Sequence, residues 1–352
     1  MTSKTFLGCK ILLKRDKMVH KSRQWGQNQN LQMQNCFRII KKQEMDTIYF
    51  TVACKSVNIS SNENYIDKWR NAMSYKIVVD SCCELPEEYK KDARFQIVPL
   101  GLQVGDWHIM DDENFDQAEF LEKVATTPDC PKSSCPSPEK FMDSYHAEAE
   151  RVYGVTLTAK LSGSYNSAVL GSSLYEETYG EKKIHVFDSK SASCAESLIA
   201  LKVMELEEAG KYTFEQIVEK IEEYRDKMET YFVLDNLDFL RKNGRLTGLK
   251  ALAATTLNIK PVLKAIDGEI AQAGQAVGVK KALAKLADMI VEKMDKTDHD
   301  TMVITHCNNV KRAETVRDLI LKKTDLIKKV IIMDTAGVSS LYAADGGVIV
   351  AI

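Results

Sequence analysis

Residues 155–188 read VTLTAKLSGSYNSAVLGSSLYEETYGEKKIHVFD, and this stretch decides the fold. Val155–Thr158 is short, apolar and β-branched, the pattern of a strand. A polar turn follows at Leu161-Ser162-Gly163-Ser164. From Ser164 the pattern is helical to about Tyr179, where Gly180 stops it. Lys183–Phe187 is again a strand and ends in Asp188-Ser189. Strand, crossover helix and strand make a βαβ unit, whose strands pair in parallel.

The same texture extends in both directions. Tyr75–Val79 is a strand closed by Asp80-Ser81, and Phe95–Val104 is a second extended segment. Asn114 is placed to cap a helix through Phe115, Phe120, Leu121 and Val124. Ser137-Pro138-Glu139 offers a capping hydroxyl, a proline at the first helical position and an acid in the first turn. The helix it opens carries Phe141, Tyr145 and Val152 and ends at Gly154. Ser193 starts another helix, and Thr213-x-x-Gln216 is a capping box.

Beyond Met228–Tyr231 the pattern changes. A strand at Tyr231–Leu234 leads to a short helix over Leu237–Asn243, closed by Gly244. Lys260–Ile266 and Glu269–Val277 flank Asp267-Gly268, a hairpin signal. Helices over Val279–Met294 and Val310–Lys322 alternate with strands at Thr301–Thr305, Val330–Met333 and Val348–Ile352. The expected fold is α/β with two domains: a parallel-sheet domain over residues 73–229, and a second α/β domain with a mixed sheet over 230–352.

With 44% apolar and 28% charged residues, the chain is not a mainly disordered or collagen-like one. No stretch approaches the roughly 18 uninterrupted apolar residues of a membrane helix, so no integral membrane segment is expected. Phe6–Leu13 is broken by Lys10 and followed by Lys14 and Arg15, which makes a poor secretory signal. Nine cysteines occur without a CxxC pair or zinc spacing. They read as reduced thiols of a cytoplasmic protein, with no metal.

A formal charge of −2 argues against nucleic acid as a partner. The charge is nevertheless uneven. Residues 1–72 hold 13 Lys+Arg and 5 Asp+Glu, a net of +8, which leaves −10 for residues 73–352. That first segment is rich in Asn and Gln and has no clean helical or strand period. One reading is a basic nucleic-acid-binding arm. The other rests on Trp69-Arg70-Asn71-Ala72, just before Met73. Trp is encoded by TGG. With AGG for Arg70 and AAT or AAC for Asn71, the message reads TGGAGGAA a short distance before ATG, a bacterial ribosome-binding site. Residues 1–72 are therefore expected to be a non-native or disordered N-terminal extension, with Met73 as the native start.

The chemistry gathers in Ser-rich turns: Asp80-Ser81, Ser133-Ser134-Cys135-Pro136-Ser137-Pro138, Leu161–Ser167 and Asp188-Ser189. In α/β folds such turns collect at the carboxyl ends of strands, where ligands bind. Free N–H groups at helix starts, with hydroxyls beside them, suit an anion. Ser133 and Ser134 at one such start, with Ser162, Gly163 and Ser164 at another, can clamp a small carboxylate or phosphate. Each serine equally serves as a cap for its own helix. A serine nucleophile fits poorly, because Gly163-Ser164-Tyr165-Asn166-Ser167 lacks the second glycine of a nucleophile elbow. His306, at a strand end, is the histidine best placed for a site, although Cys307-Asn308-Asn309 also reads as a helix entry. No glycine-rich dinucleotide or phosphate loop is present.

Several blocks, in order, resemble the DegV family. They are Val79–Pro86, Ser133–Pro138, Leu161–Ala168, Phe187–Ser193, Leu237–Leu246 (with Arg241, Gly244 and Arg245) and Asn258–Leu263. The resemblance runs from about Tyr75 to Ile352. It implies a two-domain α/β protein that binds one long-chain fatty acid between its domains and needs no cofactor. In the family the carboxylate is held by the first residue of a Thr-Ser-x-Pro-Ser loop and by the serine of Leu-Ser-Gly, here Ser133 and Ser162. Some members present the fatty acid to a separate fatty acid kinase subunit. Those members carry an Arg near the position of Gly278, before Lys280-Lys281-Ala282. They also carry a His in a C-terminal segment that here reads Gly337–Gly347 without one. Tyr342 is the residue there that can supply a hydroxyl. The expected function is thus non-catalytic lipid binding by a bacterial protein acting as a carrier or presenter. An enzyme acting on a small phosphorylated or carboxylated metabolite in the same cleft is the alternative.

Overall fold

The computed structural model describes residues 75–246, 258–294 and 299–352. The expectation for residues 1–72 lies outside them. In chain order the first half runs β1 (Tyr75–Asp80), α1 (Glu87–Lys90), β2 (Phe95–Val98), β3 (Gly101–Val104), β4 (Trp107–Met110), α2 (Gln117–Thr126), β5 (Lys132–Ser134), α3 (Pro138–Tyr145), β6 (Arg151–Thr156), α4 (Ser164–Tyr179), β7 (Lys183–Asp188), α5 (Cys194–Glu208) and α6 (Phe214–Lys227). The second half runs β8 (Thr230–Val233), α7 (Asp238–Lys242), β9 (Ile259–Ile266), β10 (Glu269–Val277), α8 (Val279–Met294), β11 (Thr301–His306), α9 (Val310–Leu321), β12 (Lys329–Asp334), α10 (Gly337–Ala343) and β13 (Val348–Ala351).

The first lobe is built on a parallel sheet of order β2-β1-β6-β7. Its chain leaves β1 toward β2 on one side and returns through β6 on the other. The carboxyl ends of β1 and β6 therefore form the crevice where α/β sheets bind ligands. A small antiparallel sheet, β4-β3-β5, is added to this lobe. The second lobe holds a mixed sheet of order β10-β9-β8-β13-β11-β12, in which only β11 and β12 pair in parallel. Asp267 and Gly268 join β9 to β10 with φ of 47° and 84°, the two positive angles a type I′ turn needs.

Alternation along the strands sorts the core. In β8, Tyr231 and Val233 face the cluster formed with α8 and α9, while Phe232 faces the other way, with Leu234, Leu240 and Leu263. Helix α5 lies between the lobes. It packs Ile199, Ala200 and Val203 toward the first sheet and Cys194, Ala195 and Leu198 toward Val303 and Ala351 of the second. A helix buried on most sides has no polar face, so its pattern is weakly amphipathic.

The extended segment Phe95–Val104 breaks at Pro99-Leu100 and feeds two different sheets. Proline has no N–H to donate to a ladder. Helix α2 is capped by Asp116, whose Oδ1 accepts from Glu119 N at 2.9 Å, and not by Asn114. Asn114 instead donates its N–H to Asp112 Oδ1 in the preceding turn, at 2.9 Å. The helix opened by Ser137 ends at Tyr145, and Val152 and Gly154 belong to β6. Gly154 is no helix stop. A Cβ there would meet Val186 Cγ2 at 3.1 Å and the Tyr145 hydroxyl at 3.2 Å, so the strand needs glycine to lie under that helix.

Candidate functional site

The loops after β1 and β6 are fastened by one buried carboxylate. Asp80 Oδ1 accepts from Cys82 N at 3.0 Å, and Oδ2 accepts from Leu157 N at 3.0 Å and from the Ser164 hydroxyl. This fixes the start of α4 against the end of β1. Ser164 is thereby buried and committed to Asp80.

Beside these loops an apolar cavity of about 100 Å³ opens between the lobes. Leu100, Leu157 and Leu161 line it from the first lobe, and Phe232, Leu234, Leu240, Val338 and Ile349 from the second. Three polar side chains on its wall touch in sequence, and a fourth, Ser162, follows the residue whose carbonyl one of them binds. Ser133 Oγ lies 3.0 Å from the Tyr342 hydroxyl. The Arg245 guanidinium stands 5.5 Å from the centre of the Tyr342 ring, a cation–π contact. Arg245 Nε donates to Leu161 O at 3.2 Å, next to Ser162. Ser162 Oγ accepts from Ser164 N at 3.2 Å, which leaves its own proton to donate. The cluster combines one permanent positive charge with three hydroxyls at the edge of an apolar space. It can hold an anionic head while the apolar walls take an uncharged tail.

The sequence-derived candidates separate in space. Ser133, Ser162 and Tyr342 lie on the cavity wall; Ser134, Gly163, Ser164 and His306 are not among its lining residues. Ser134 stands opposite Gly101 in the β3–β5 ladder, and Gly163 backs onto Cys135. His306 is buried at the end of β11, where Nδ1 lies 3.1 Å from Asp334 Oδ1 and accepts from Asn309 N at 3.3 Å. Burial holds its imidazole below the usual histidine range, against the pull of Asp334. Ser137 occupies the N-cap of α3, but its hydroxyl takes no helix N–H. Arg245 was not among the candidates. The signal for it was a basic residue directly after the Gly244 that closes α7, inside a block already marked by resemblance.

Around the same crevice, Glu84, Asp111 and Glu196 join Asp80 in the interior. Each is at most 4% exposed. Burial raises all four carboxyls, Glu84 to about 7 and Asp111 to about 6.

A family model described as "Uncharacterised protein, DegV family" matches residues 74–352. A crystal structure of a DegV family protein from Ruminococcus gnavus, refined with vaccenic acid, is 52% identical, with a TM-score of 0.77; the match covers 80% of this chain and 100% of that one. The Streptococcus pneumoniae fatty acid kinase (Fak) B3 protein, loaded with linoleic acid, is 32% identical with a TM-score of 0.70, covering 79% of this chain and 99% of that one. A DegV domain-containing protein of Streptococcus pneumoniae is 34% identical over 281 residues, 79% of this chain and 98% of its own length. The ordered blocks, the two-lobed fold and these matches agree, and the chain belongs to the DegV family.

Proposed function

We propose that this protein binds one long-chain fatty acid in the cavity between its lobes and that it carries the ligand without transforming it. The observation that carries this reading is the pairing of an apolar cavity with the Ser133–Tyr342–Arg245–Ser162 cluster at its edge. Arg245 supplies charge for a carboxylate, and Ser133, Ser162 and Tyr342 supply donors. The tail contributes roughly 0.8 kcal/mol for each methylene removed from water, so affinity needs few polar contacts. Relatives with vaccenic and linoleic acid bound support the same reading.

Presentation to a fatty acid kinase is a narrower role. Here Tyr342 stands in the segment where kinase-linked members are expected to carry His, and Gly278 near the position of their Arg. We propose that the acyl chain is held well and its carboxylate presented poorly.

The deciding experiment is mass spectrometry of lipid extracted from the purified protein, followed by titration with oleate. About one long-chain fatty acid per chain is expected. Absence of extracted lipid together with no saturable oleate binding overturns the reading.

A further inference from the structure

The cluster around Tyr342 is not the only polar feature of the cavity wall. In the second lobe that wall is the face of β8 that carries Thr230, Phe232 and Leu234. Leu234 packs with Ala343 and Tyr342, at the end where Ser133 and Arg245 stand. Thr230 begins the same strand opposite Ala351, roughly 13 Å from Leu234 at the usual rise of a strand. There it meets Ser191, from the loop between β7 and α5 of the first lobe. The Ser191 hydroxyl bonds to Thr230 Oγ1 at 2.9 Å, and both residues are buried on the cavity wall.

Backbone bonds hold this pair in place. Ser191 N donates to Ser189 Oγ at 3.1 Å, while Ser191 O accepts from the Ser189 hydroxyl at 3.0 Å and from Thr158 N at 2.9 Å. Thr230 is fixed by its pairing with Ala351. Each hydroxyl carries one proton and two acceptor sites. Among the described residues, the bond between them is the only one that either hydroxyl makes. Whichever of the two donates, one proton and the lone pairs of the other oxygen stay unspent. The neighbouring hydroxyls on the wall are committed. Ser193 Oγ is shared between Glu84 Oε2 and Thr305 Oγ1, each at 2.8 Å, and Ser339 Oγ pairs with Cys82 Sγ at 3.6 Å.

We propose that Ser191 and Thr230 form a second polar subsite, for a hydroxyl group part-way along the acyl chain, and that the preferred ligand is a hydroxylated long-chain fatty acid.

The chemistry of the pair selects the group. A ligand hydroxyl meets both unspent functions, accepting the free proton and donating to the free oxygen. A plain methylene chain meets neither. It shuts water away from a hydroxyl proton that the protein leaves unpaired, and such a group is costly to leave unmade. Position matters as much as chemistry. With the carboxylate at the Ser133–Arg245 cluster, the chain passes Leu234 and Phe232, which offer no polar atom, before it reaches Thr230. A hydroxyl stranded on that apolar stretch is desolvated without a partner. A site that hydrogen-bonds a hydroxyl discriminates against the analogue lacking it far more strongly than an apolar pocket discriminates against an added one. The subsite therefore reads where along the chain the oxygen sits.

This inference rests on the fatty-acid reading, and its test separates the two. The full chain is titrated with stearate and with a series of monohydroxystearates in which the hydroxyl moves along the chain. One mid-chain isomer should bind on the order of tenfold more tightly than stearate, and the isomers nearest the methyl end on the order of tenfold more weakly than it. A series in which no isomer exceeds stearate overturns the subsite. The S191A/T230V double variant should cross the preference: the favoured isomer loses on the order of tenfold, and stearate gains several-fold because no proton is left unpaired. A pair that only ties the lobes together would weaken both ligands alike, and that result also overturns the subsite. Should the variant fail to fold, the wild-type series decides alone. Saturable stearate binding without any isomer preference sinks the subsite and keeps the fatty-acid reading; no saturable binding of stearate or of any isomer sinks both.

Discussion

Beside the cavity, Ser133, Ser162, Tyr342 and Arg245 stand half-buried, with the guanidinium of Arg245 against the Tyr342 ring and Ser133 at its hydroxyl. In the wall between the lobes, Asp80, Glu84, Asp111 and Glu196 are almost wholly out of water, and among the described residues no cation pairs with them. Asp80 ends one parallel strand of the first sheet and Ser162 lies in the loop after another, so neighbouring strand ends build the two clusters. What separates the clusters is the direction of their hydrogen bonds. The acids accept from backbone amides and so hold loops in place. The hydroxyls and the guanidinium keep donors to spare, and a donor left over at the edge of an apolar space suits a ligand that brings only acceptors. Within one crevice, burial divides polar side chains into those that shape the site and those that serve it.

The sharpest way to break this comparison is Asp80→Ala. Two buried amides and the Ser164 hydroxyl lose their acceptor, and each unsatisfied group costs about 1–3 kcal/mol. We expect roughly 3–5 kcal/mol of lost stability by urea denaturation. A loss under about 1 kcal/mol means that the acids do not hold the loops.

The opposite behaviour is expected from Ser133→Ala with Ser162→Ala. Oleate affinity should fall roughly 10- to 100-fold, from the loss of hydrogen bonds to a charged acceptor. Stability should fall by no more than roughly 1–3 kcal/mol, from the Ser164 amide that loses its acceptor at Ser162. Unchanged affinity leaves both residues as parts of the loops and erases the distinction.

Arg245→Met sharpens the same contrast by removing charge while keeping bulk. A roughly tenfold loss of oleate affinity is expected, with little loss for the corresponding long-chain alcohol, which carries no charge. Equal losses for both ligands point to packing on Tyr342 and not to charge.

Acyl-phosphate formation with a fatty acid kinase subunit tests how the hydroxyl cluster presents its ligand. Turnover should be at least about tenfold below that of a family member bearing both the Arg and the His, since each supplies charge or a donor during phosphoryl transfer. Turnover within a few-fold shows that Tyr342 and Arg245 suffice.

The smallest effect is expected at the other end of the chain. A protein beginning at Met73 should bind oleate and melt as the full chain does. The +8 to −10 charge split and the family match over residues 74–352 are the grounds. A fall of several degrees in melting temperature would refute this.

How much of this was legible in the sequence follows from where each signal is local. Helix α4 was legible at its end because Gly180, with φ of 91°, acts through its own turn, and at its start as a polar turn although Gly163 and not a serine hydroxyl occupies the N-cap. The hairpin was legible because Asp267-Gly268 sets its own dihedral angles. The end of α3 was not, because the role of Gly154 depends on Tyr145 and Val186, which reach it from other elements. Ser133 and Ser162 were visible as turn residues. Their separation from Ser134 and Ser164 was hidden, since Asp80 claims Ser164 across 84 positions of sequence. Arg245 becomes a site residue only through its contacts with Leu161 and Tyr342, from parts of the chain far from α7.

The place of β13 carries a consequence for the order of assembly. It lies between β8 and β11, and those two strands do not pair with each other. Residues 230–277 and 301–334 thus form two half-sheets that only residues 348–351 can join. β13 follows both half-sheets in the chain. Until it joins them, the facing edges of β8 and β11 present unpaired N–H and C=O groups, which invite wrong partners. Ile349 of that strand is also part of the cavity wall. The wall of the cavity is therefore complete only once β13 has joined the two half-sheets.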